Sequence, residues 1–436
     1  MSECREPSQD FLAELLPDCI GLQPHDGGNA GPAPLPTGSA VYLLLAADDA
    51  PILLAVTSNL RAAVERKMHP PDQAAHAAIK LAGVATQVRY RLVHSALAAN
   101  WWYYRCARLM YPQEYRRMLG WQPAWFVVCD AVGPYPRFWA ANRVDVHAGT
   151  TLFGPLARQT AAQRVVELLE NIFDLCRYDE LLKQSPKARP CSYKDMGKCT
   201  AVCDGTISME HYRKQIATAL RFVEALGAYR HCGGEGASET DFAALRGEWE
   251  GLMRQAAGRL DFRMAAAMKA RLAAADELLA PRFRGLRDLR RCAGVALQTG
   301  GGSRQIEPLF FRGGSLDMAP AVTQRRLREA CDAWALRLTE LRQSKIADQW
   351  DQADVELAGL LAHHLTRHGD TGLYLFADEV EGASDLHRRI IDWLTKRRKH
   401  QDSTGPQGAD SPLAPEVDGA GGEPDTGHES LPDRTS

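Results

Sequence analysis

Four cysteines share one short stretch of this chain. Cys176, Cys191, Cys199 and Cys203 are separated by fourteen, seven and three residues, with Pro190, Gly197 and Gly205 as bending points. Spacing this irregular fits neither a helix period nor a strand period, so the segment is expected to be a loop folded back on itself. Four thiolates brought together in this way complete a tetrahedral metal site or hold an iron–sulfur cluster. Lys183, Lys187, Arg189, Lys194 and Lys198 crowd the same stretch, and their charge is expected to lower the thiol pKa values and to offset an anionic ligand set. Zinc favours knuckles with two to four residues between paired ligands, a habit only the last pair meets. Spacing alone therefore leaves a cluster, zinc and unligated thiols all open.

The chain has 436 residues and eleven cysteines, a length that allows roughly two to four domains. Cys4, Cys19, Cys106, Cys129, Cys232, Cys292 and Cys331 are scattered and read as buried or free thiols. The beginning is acidic where an export signal would be basic and then apolar, and no run of about eighteen apolar residues occurs. The expectation is a cytoplasmic protein without disulfides and without membrane contact. A net charge of −2 conceals an uneven distribution: residues 1–36 carry −5 and residues 401–436 carry −7, which leaves +10 on residues 37–400. A basic body between acidic ends suits a nucleic-acid binder, because Lys and Arg displace counterions from phosphates.

The pattern along the chain predicts an α+β protein. Residues 1–36 read as an acidic linker with a short helix near Phe11–Leu16. Residues 37–150 read as a small α/β domain that opens strand, turn, strand, then a helix capped near Ser58, with helices over 73–84 and 96–110 and strands over 124–131 and 136–141. Residues 151–235 hold a long helix over 156–174, the cysteine loop, and a helix from Ser208. Residues 241–280 form a separate helical hairpin. Residues 285–399 form a mixed domain of a β-hairpin turning at Gly313–Gly314, three helices and a short strand at 373–376, and residues 400–436 read as a disordered acidic tail.

In the hairpin, Trp249, Leu252, Met253, Ala256 and Leu260 fall on one stripe. Phe262, Ala265, Ala266, Met268 and Leu272 fall on another, with Asp261 as the N-cap between them. Two short amphipathic helices bury such stripes poorly alone, so periodicity leaves open an ordinary core-forming hairpin, a partner or a second copy. The run Trp101, Trp102, Tyr103, Tyr104 with Arg105 and Arg108 reads as core with snorkelling arginines, or as a base-stacking surface. His363, His364 and His368 share a helix without an accompanying carboxylate set, and read as surface or core histidines.

The segment RPCSYKDMGKCTAVCDGTISMEHYRKQ and the upstream LFGPLARQTAAQRVVELLENIFDLC resemble UvrC, the nuclease subunit of bacterial nucleotide excision repair, and the resemblance runs in register from about Gly38 to Asp317. It implies that Cys176, Cys191, Cys199 and Cys203 hold a four-iron four-sulfur cluster, with zinc as the alternative; Val202 stands where the family usually has Pro. It also implies that the hairpin is a UVR motif that pairs with UvrB through Trp249, Leu252, Leu260, Asp261, Phe262, Ala265 and Ala266.

Residues 37–66 resemble the opening of the family's GIY-YIG nuclease domain. Ala40-Val41-Tyr42 matches the first triplet, Leu53-Leu54-Ala55 the second, and Asn59, Leu60 and Arg61 follow in register. Leu53, Val56 and Ala63 stand where the family places a Tyr that assists water, a Lys and an Arg. No acidic residue occurs between Asp72 and Glu114 to anchor a divalent metal. Tyr42, Arg61 and Arg66 remain as vestiges. The expectation is a UvrC-like factor that binds DNA and a UvrB-like protein with incision lost or impaired. The alternatives are an active Mg²⁺-dependent nuclease with displaced groups such as Glu65 or Asp72, and an iron–sulfur redox sensor.

Overall fold

A computed structural model describes residues 9–22, 35–68, 81, 84–146, 149–231, 240–301, 305–367 and 372–404. They fall into two compact units. The first takes in the described residues up to Val93 together with Ala98–Gly120, and the second takes in His94–Leu97 and the described residues from Trp121 onward.

The first unit is built on a four-stranded antiparallel sheet. Its elements are α1 (Gln9–Leu15), β1 (Asp18–Gly21), β2 (Ala40–Leu45), β3 (Pro51–Thr57), α2 (Leu60–Met68), β4 (Gln87–Leu92), α3 (Ala96–Met110) and α4 (Tyr115–Met118). The strand order is β1-β4-β2-β3. β2 is buried along its whole length, as the run AVYLLL requires of a strand covered on both faces. The helix expected from Ser58 starts at α2, where the Asn59 side chain accepts the Ala62 N–H at 3.1 Å and so satisfies one of the open donors of the first turn. The short helix expected near Phe11–Leu16 is α1, and residues 18–21, expected in the linker, form an edge strand, with Asp18 opposite Tyr90. The helix expected over 73–84 lies almost entirely outside the described residues, as does the acidic tail beyond residue 404.

The second unit contains two sheets and the helices around them. β5 (Trp125–Asp130), β6 (Phe138–Ala141) and β7 (Thr150–Leu156) form an antiparallel sheet in the order β6-β5-β7. α5 (Gln159–Phe173) lies on that sheet, followed by α6 (Asp179–Lys183), α7 (Ser192–Asp195), α8 (Met209–His231), α9 (Asp241–Gly258) and α10 (Phe262–Leu278). A second antiparallel sheet is made of β8 (Ala293–Thr299), β9 (Gln305–Arg312), β10 (Ser315–Met318), β11 (Val322–Thr323) and β12 (Leu373–Phe376), with α11 (Leu327–Gln343), α12 (Gln352–Thr366) and α13 (Ala383–Thr404). Two short 3-10 turns, Pro281–Phe283 and Leu289–Arg291, lie between the two parts. Gly285 is required there, because a Cβ on it would sit 2.1 Å from the Pro155 carbonyl oxygen at the end of β7. Arg287, buried over the Phe376 ring at 3.6 Å, pairs with both Asp378 and Glu379.

The hairpin of α9 and α10 packs into a core of this chain, as an ordinary core-forming hairpin does. Phe242, Trp249, Met268, Ala275 and Leu278 join the same core as the α5 and α8 residues Val165, Leu169, Phe222 and Val223. Phe222 is its aromatic centre, with ring centroids 5.3 Å from Phe173, 4.6 Å from Phe242 and 5.8 Å from Trp249. Ion pairs rim the contact: Arg164 with Glu277 at 2.8 Å and Arg246 with Asp276 at 2.7 Å. Replacing Phe222 with Ala removes a buried ring and leaves a cavity, so a loss of about 3–5 kcal/mol is expected in urea unfolding. A loss below about 1 kcal/mol would show that these helices do not depend on that ring.

Candidate functional site

The cysteine segment hangs between the end of α5 and the start of α8. α5 stops at Asp174, whose φ of 52° is left-handed, a conformation Asp tolerates better than most residues. The chain then turns, and the Cys176 N–H donates to the hydroxyl of Tyr212 at 3.2 Å. Tyr212 lies in the first turn of α8, fully buried, and burial pushes its hydroxyl pKa upward. At the far end, Ser208 Oγ accepts the His211 N–H at 3.1 Å, which makes it the expected cap of α8.

Between these anchors the loop is folded on itself. Cys191 begins α7, and Cys203 sits in a 3-10 turn flanked by Ala201 (φ 56°) and Gly205 (φ 82°). A Cβ on Gly205 would meet Pro186 at 3.2 Å, and the Ala188 N–H donates to the Cys203 carbonyl at 2.9 Å. Ser185 Oγ donates to the Val202 carbonyl at 2.6 Å. Val202 is fully buried and joins the core beneath the loop. Its apolar side chain therefore does the packing at the position where the resembling family usually carries proline.

Cys176 Sγ donates to the Tyr178 carbonyl at 3.5 Å. Interaction with the Cys199 thiol, followed by burial, pushes the Cys176 thiol pKa up. The reciprocal interaction with Cys176, followed by the Ala201 N–H at 3.3 Å and the Arg177 charge, holds Cys199 below the usual thiol range. Burial raises Cys203, and the nearby Cys199, Asp204 and Cys191 add to the effect. Each thiol thus lies within electrostatic reach of at least one other, and the four soft donors suit an iron–sulfur or zinc group chemically. Among the described residues, no three His, Cys, Asp or Glu side chains are drawn together as a single metal-ion site.

The cations differ from the expectation. Lys183 pairs with Asp179 at 2.7 Å, and Lys194 pairs with Asp204 and reaches Thr206 Oγ1 at 3.0 Å. Lys187, Arg189 and Lys198 point to solvent. The cation acting on Cys199 is Arg177, which stacks 4.1 Å over Tyr193 and donates to the Lys198 carbonyl at 2.9 Å and to Asn171 Oδ1 at 2.7 Å. Arg177 sits next to Cys176 in the sequence, and that adjacency was the available signal.

The hairpin tip divides the residues expected to meet a partner. Trp249 is only 5% exposed and belongs to the chain's own core, because Phe173 and Phe222 already supply its partners. Asp261 caps α10 by accepting the Met264 N–H at 3.0 Å. Leu260, left-handed at φ 60°, is 71% exposed, and Phe262 is 70% exposed. Leu252, Met264 and Ala266 are also exposed, and Ala265 is half-buried.

In the first unit, β2 and β3 set the two triplet segments side by side, with Tyr42 opposite Ala55 and Val41 opposite Val56. Tyr42 is buried, and Arg61 Nε donates to the Leu35 carbonyl at 2.8 Å. Ala63 is buried, Leu53 and Val56 are partly buried, and Glu65 is exposed on α2. Asp72 lies outside the described residues. Trp101, Tyr103 and Tyr104 are core residues, and the Arg91 guanidinium lies 3.8 Å over Trp102. The aromatic run is therefore chiefly packing. His364 is buried edge-on to His363 at 5.2 Å, and His368 lies outside the described residues.

Comparison with known proteins identifies the class of the central part. Residues 125–222 match the family model of the UvrC/Cho excinuclease middle domain, the segment that carries α5, all four cysteines and the start of α8. The chain is 31% identical over 148 residues to the UvrABC system protein C of Desulforudis audaxviator, covering 34% of this chain and 21% of that protein. It is 34% identical over 95 residues to that of Trichlorobacter lovleyi (22% and 15%), and 29% identical over 197 residues to that of Alcanivorax borkumensis (43% and 29%). The alignments thus span under a third of the length of these relatives. No solved structure matches. Among the described residues, no helix is long and apolar enough to cross a membrane.

Glu170, one turn before the loop, is half-buried beside Arg177 at 4.0 Å, and desolvation raises its pKa to about 7. A carboxyl whose folded pKa is raised favours folding below its unfolded pKa, and that contribution is lost as pH rises towards 7. Glu170→Gln should therefore be more stabilising, relative to the parent, at pH 8 than at pH 5, by on the order of 2 kcal/mol. Equal differences in urea unfolding at the two pH values would contradict this.

Proposed function

We propose that this chain is a UvrC-like factor of nucleotide excision repair that binds DNA and a UvrB-like protein in the cytoplasm, with its incision activity impaired or lost. The observation that carries the reading is the family match over residues 125–222, centred on the cysteine segment. The relatives aligned there are UvrABC system C proteins. Cys176, Cys191, Cys199 and Cys203 are assigned to an iron–sulfur cluster, supported by their soft donor chemistry and by the resemblance of the segment. When bound, such a group ties the loop between α5 and α8 to one centre. Tyr212 and Arg177 hold the protein side of that centre in place.

The reading of lost incision rests on the first unit. Hydrolysis of a phosphodiester needs an activated water, a divalent metal and cations for the developing charge. Leu53, Val56 and Ala63 supply none of these, Tyr42 is buried, and Mg²⁺ enters the account only if cleavage is observed. The reading of partner binding rests on the hairpin tip, where Leu260 and Phe262 expose two large apolar side chains. Large apolar side chains left in water close together are of the kind that marks docking surfaces.

Two assays test this function. Leu260→Asp and Phe262→Asp should weaken binding to purified UvrB roughly tenfold or more without lowering thermal stability, since neither side chain packs in the core. Parent protein that binds neither UvrB nor DNA would refute the proposal. On damaged duplex with UvrB present, no nicks are expected in Mg²⁺ or Mn²⁺, and metal-dependent nicking would replace the account with that of an active nuclease.

A further inference from the structure

One surface of the second unit carries positive charge that the fold itself does not use. α11 and α13 share a core through Leu327 and Trp334 on one side and Leu386 and Ile390 on the other. Arg398 Nη2 donates to Gln324 Oε1 at 3.0 Å, which sets the second half of α13 beside the 3-10 turn Gln324–Arg326 that leads into α11. Arg325, Arg326 and Arg328 are exposed on one side of this junction, and Lys396, Arg398 and Lys399 on the other. The carboxylates of Glu329 and Asp392 are engaged by Arg326 at 3.4 Å and by Arg388 at 3.9 Å. Among the described residues, Arg325, Arg328, Lys396 and Lys399 form no ion pair.

Six cations gathered in this way weigh against folding. Arg325 and Arg328, and likewise Lys396 and Lys399, are three residues apart, where like charges on a helix repel. Lys396 and Lys399 suit the second half of α13, because cations are favoured towards a helix C-terminus. The arginines at the start of α11 have no such reason, since that end of a helix favours anions. A local rule broken without a compensating contact inside the fold marks a surface kept for a ligand. Cations drawn from two helices call for an anion with several charges, and guanidinium groups pair with phosphate through two prongs. Among the described residues of α11 and α13 no aromatic ring is exposed on which a base could stack.

We propose that the junction of α11 and α13 binds the phosphate backbone of nucleic acid, without regard to base sequence, through these six side chains. The inference rests on the reading that this chain binds DNA and gives that binding a place, on two helices outside residues 125–222 matched to the excinuclease middle domain. Each phosphate neutralised there releases condensed counterions, so affinity falls as salt rises. The competing occupant is the chain's own residues 405–436, which hold seven acidic residues and one basic residue.

The test measures binding of the full chain to two duplexes of unrelated sequence across a salt series. Lys396→Gln/Arg398→Gln/Lys399→Gln should make the plot of log affinity against log salt shallower by about two to three, and Arg325→Gln/Arg328→Gln by about two, equally on both duplexes. Lys214→Gln/Arg254→Gln removes exposed cations already paired with Glu210 and Glu250, and should leave the slope unchanged. Every replaced side chain is exposed, so thermal melting should match the parent; the α11 and α13 sets are read separately, and a variant that unfolds leaves the other to decide. A parent that binds DNA with a slope unmoved by either set overturns the inference and leaves DNA binding standing elsewhere on the chain. A parent that binds no DNA refutes the underlying reading as well. An equal shift in the control would reduce the effect to net charge and overturn the assignment. Carbodiimide crosslinks from Lys396 or Lys399 to residues 405–436 that persist at saturating DNA would give the junction to the acidic segment, with the same consequence.

Discussion

The packing of Phe222 against Phe173, Phe242 and Trp249 is the interaction on which the candidate site depends. It holds the end of α5, the body of α8 and the first half of α9 in one core. The cysteine segment has little core of its own; Leu182, Ala201 and Val202 are its fully buried apolar residues. A loop of this length keeps its shape because both of its ends are fixed. The Tyr212 hydroxyl, buried at the start of α8, accepts the Cys176 N–H and locks the first cysteine to the second anchor helix. An unpaired N–H at that depth would cost about 1–3 kcal/mol.

Much of the architecture was legible where a single period dominated. AVYLLL and RCAGVALQT form the strands their β-rich runs suggest, and the helices from Gln159, Ser208 and Asp351 begin near the capping or periodic signals they display. β7 and β4 were missed for different reasons. TTLFGPL contains Gly154 and Pro155, which argue against a strand, yet Phe153 pairs across to Val127 and bridges to Asp288. QVRYRL alternates, but its arginines obscure a strand held between β1 and β2. Residues 18–21 looked like part of a linker because a four-residue edge strand carries almost no local signal.

At the site, the four cysteines and the exposed hairpin tip could be read from the sequence; their surroundings could not. A crowd of lysines looked like the source of positive charge, but Lys183 and Lys194 are held by nearby carboxylates, and Arg177 faces the thiols instead. Trp249 sat on the same helical stripe as Leu260, and only the aromatic partners supplied by α5 and α8 decide that one is buried and the other exposed. Side-chain partners from distant segments determine both outcomes, and no local pattern contains them.

The functional account has the cysteine segment at its centre, because the family match, the charge environment and the contact with the hairpin all meet there. Iron and acid-labile sulfide, measured per chain in anaerobically purified protein together with absorbance near about 400 nm, test it most directly. The account predicts about four of each per chain with a visible band, and loss of both when Cys199 and Cys203 are replaced by Ser. Stoichiometric zinc without sulfide, or protein that stays free of metal after reconstitution, would contradict it.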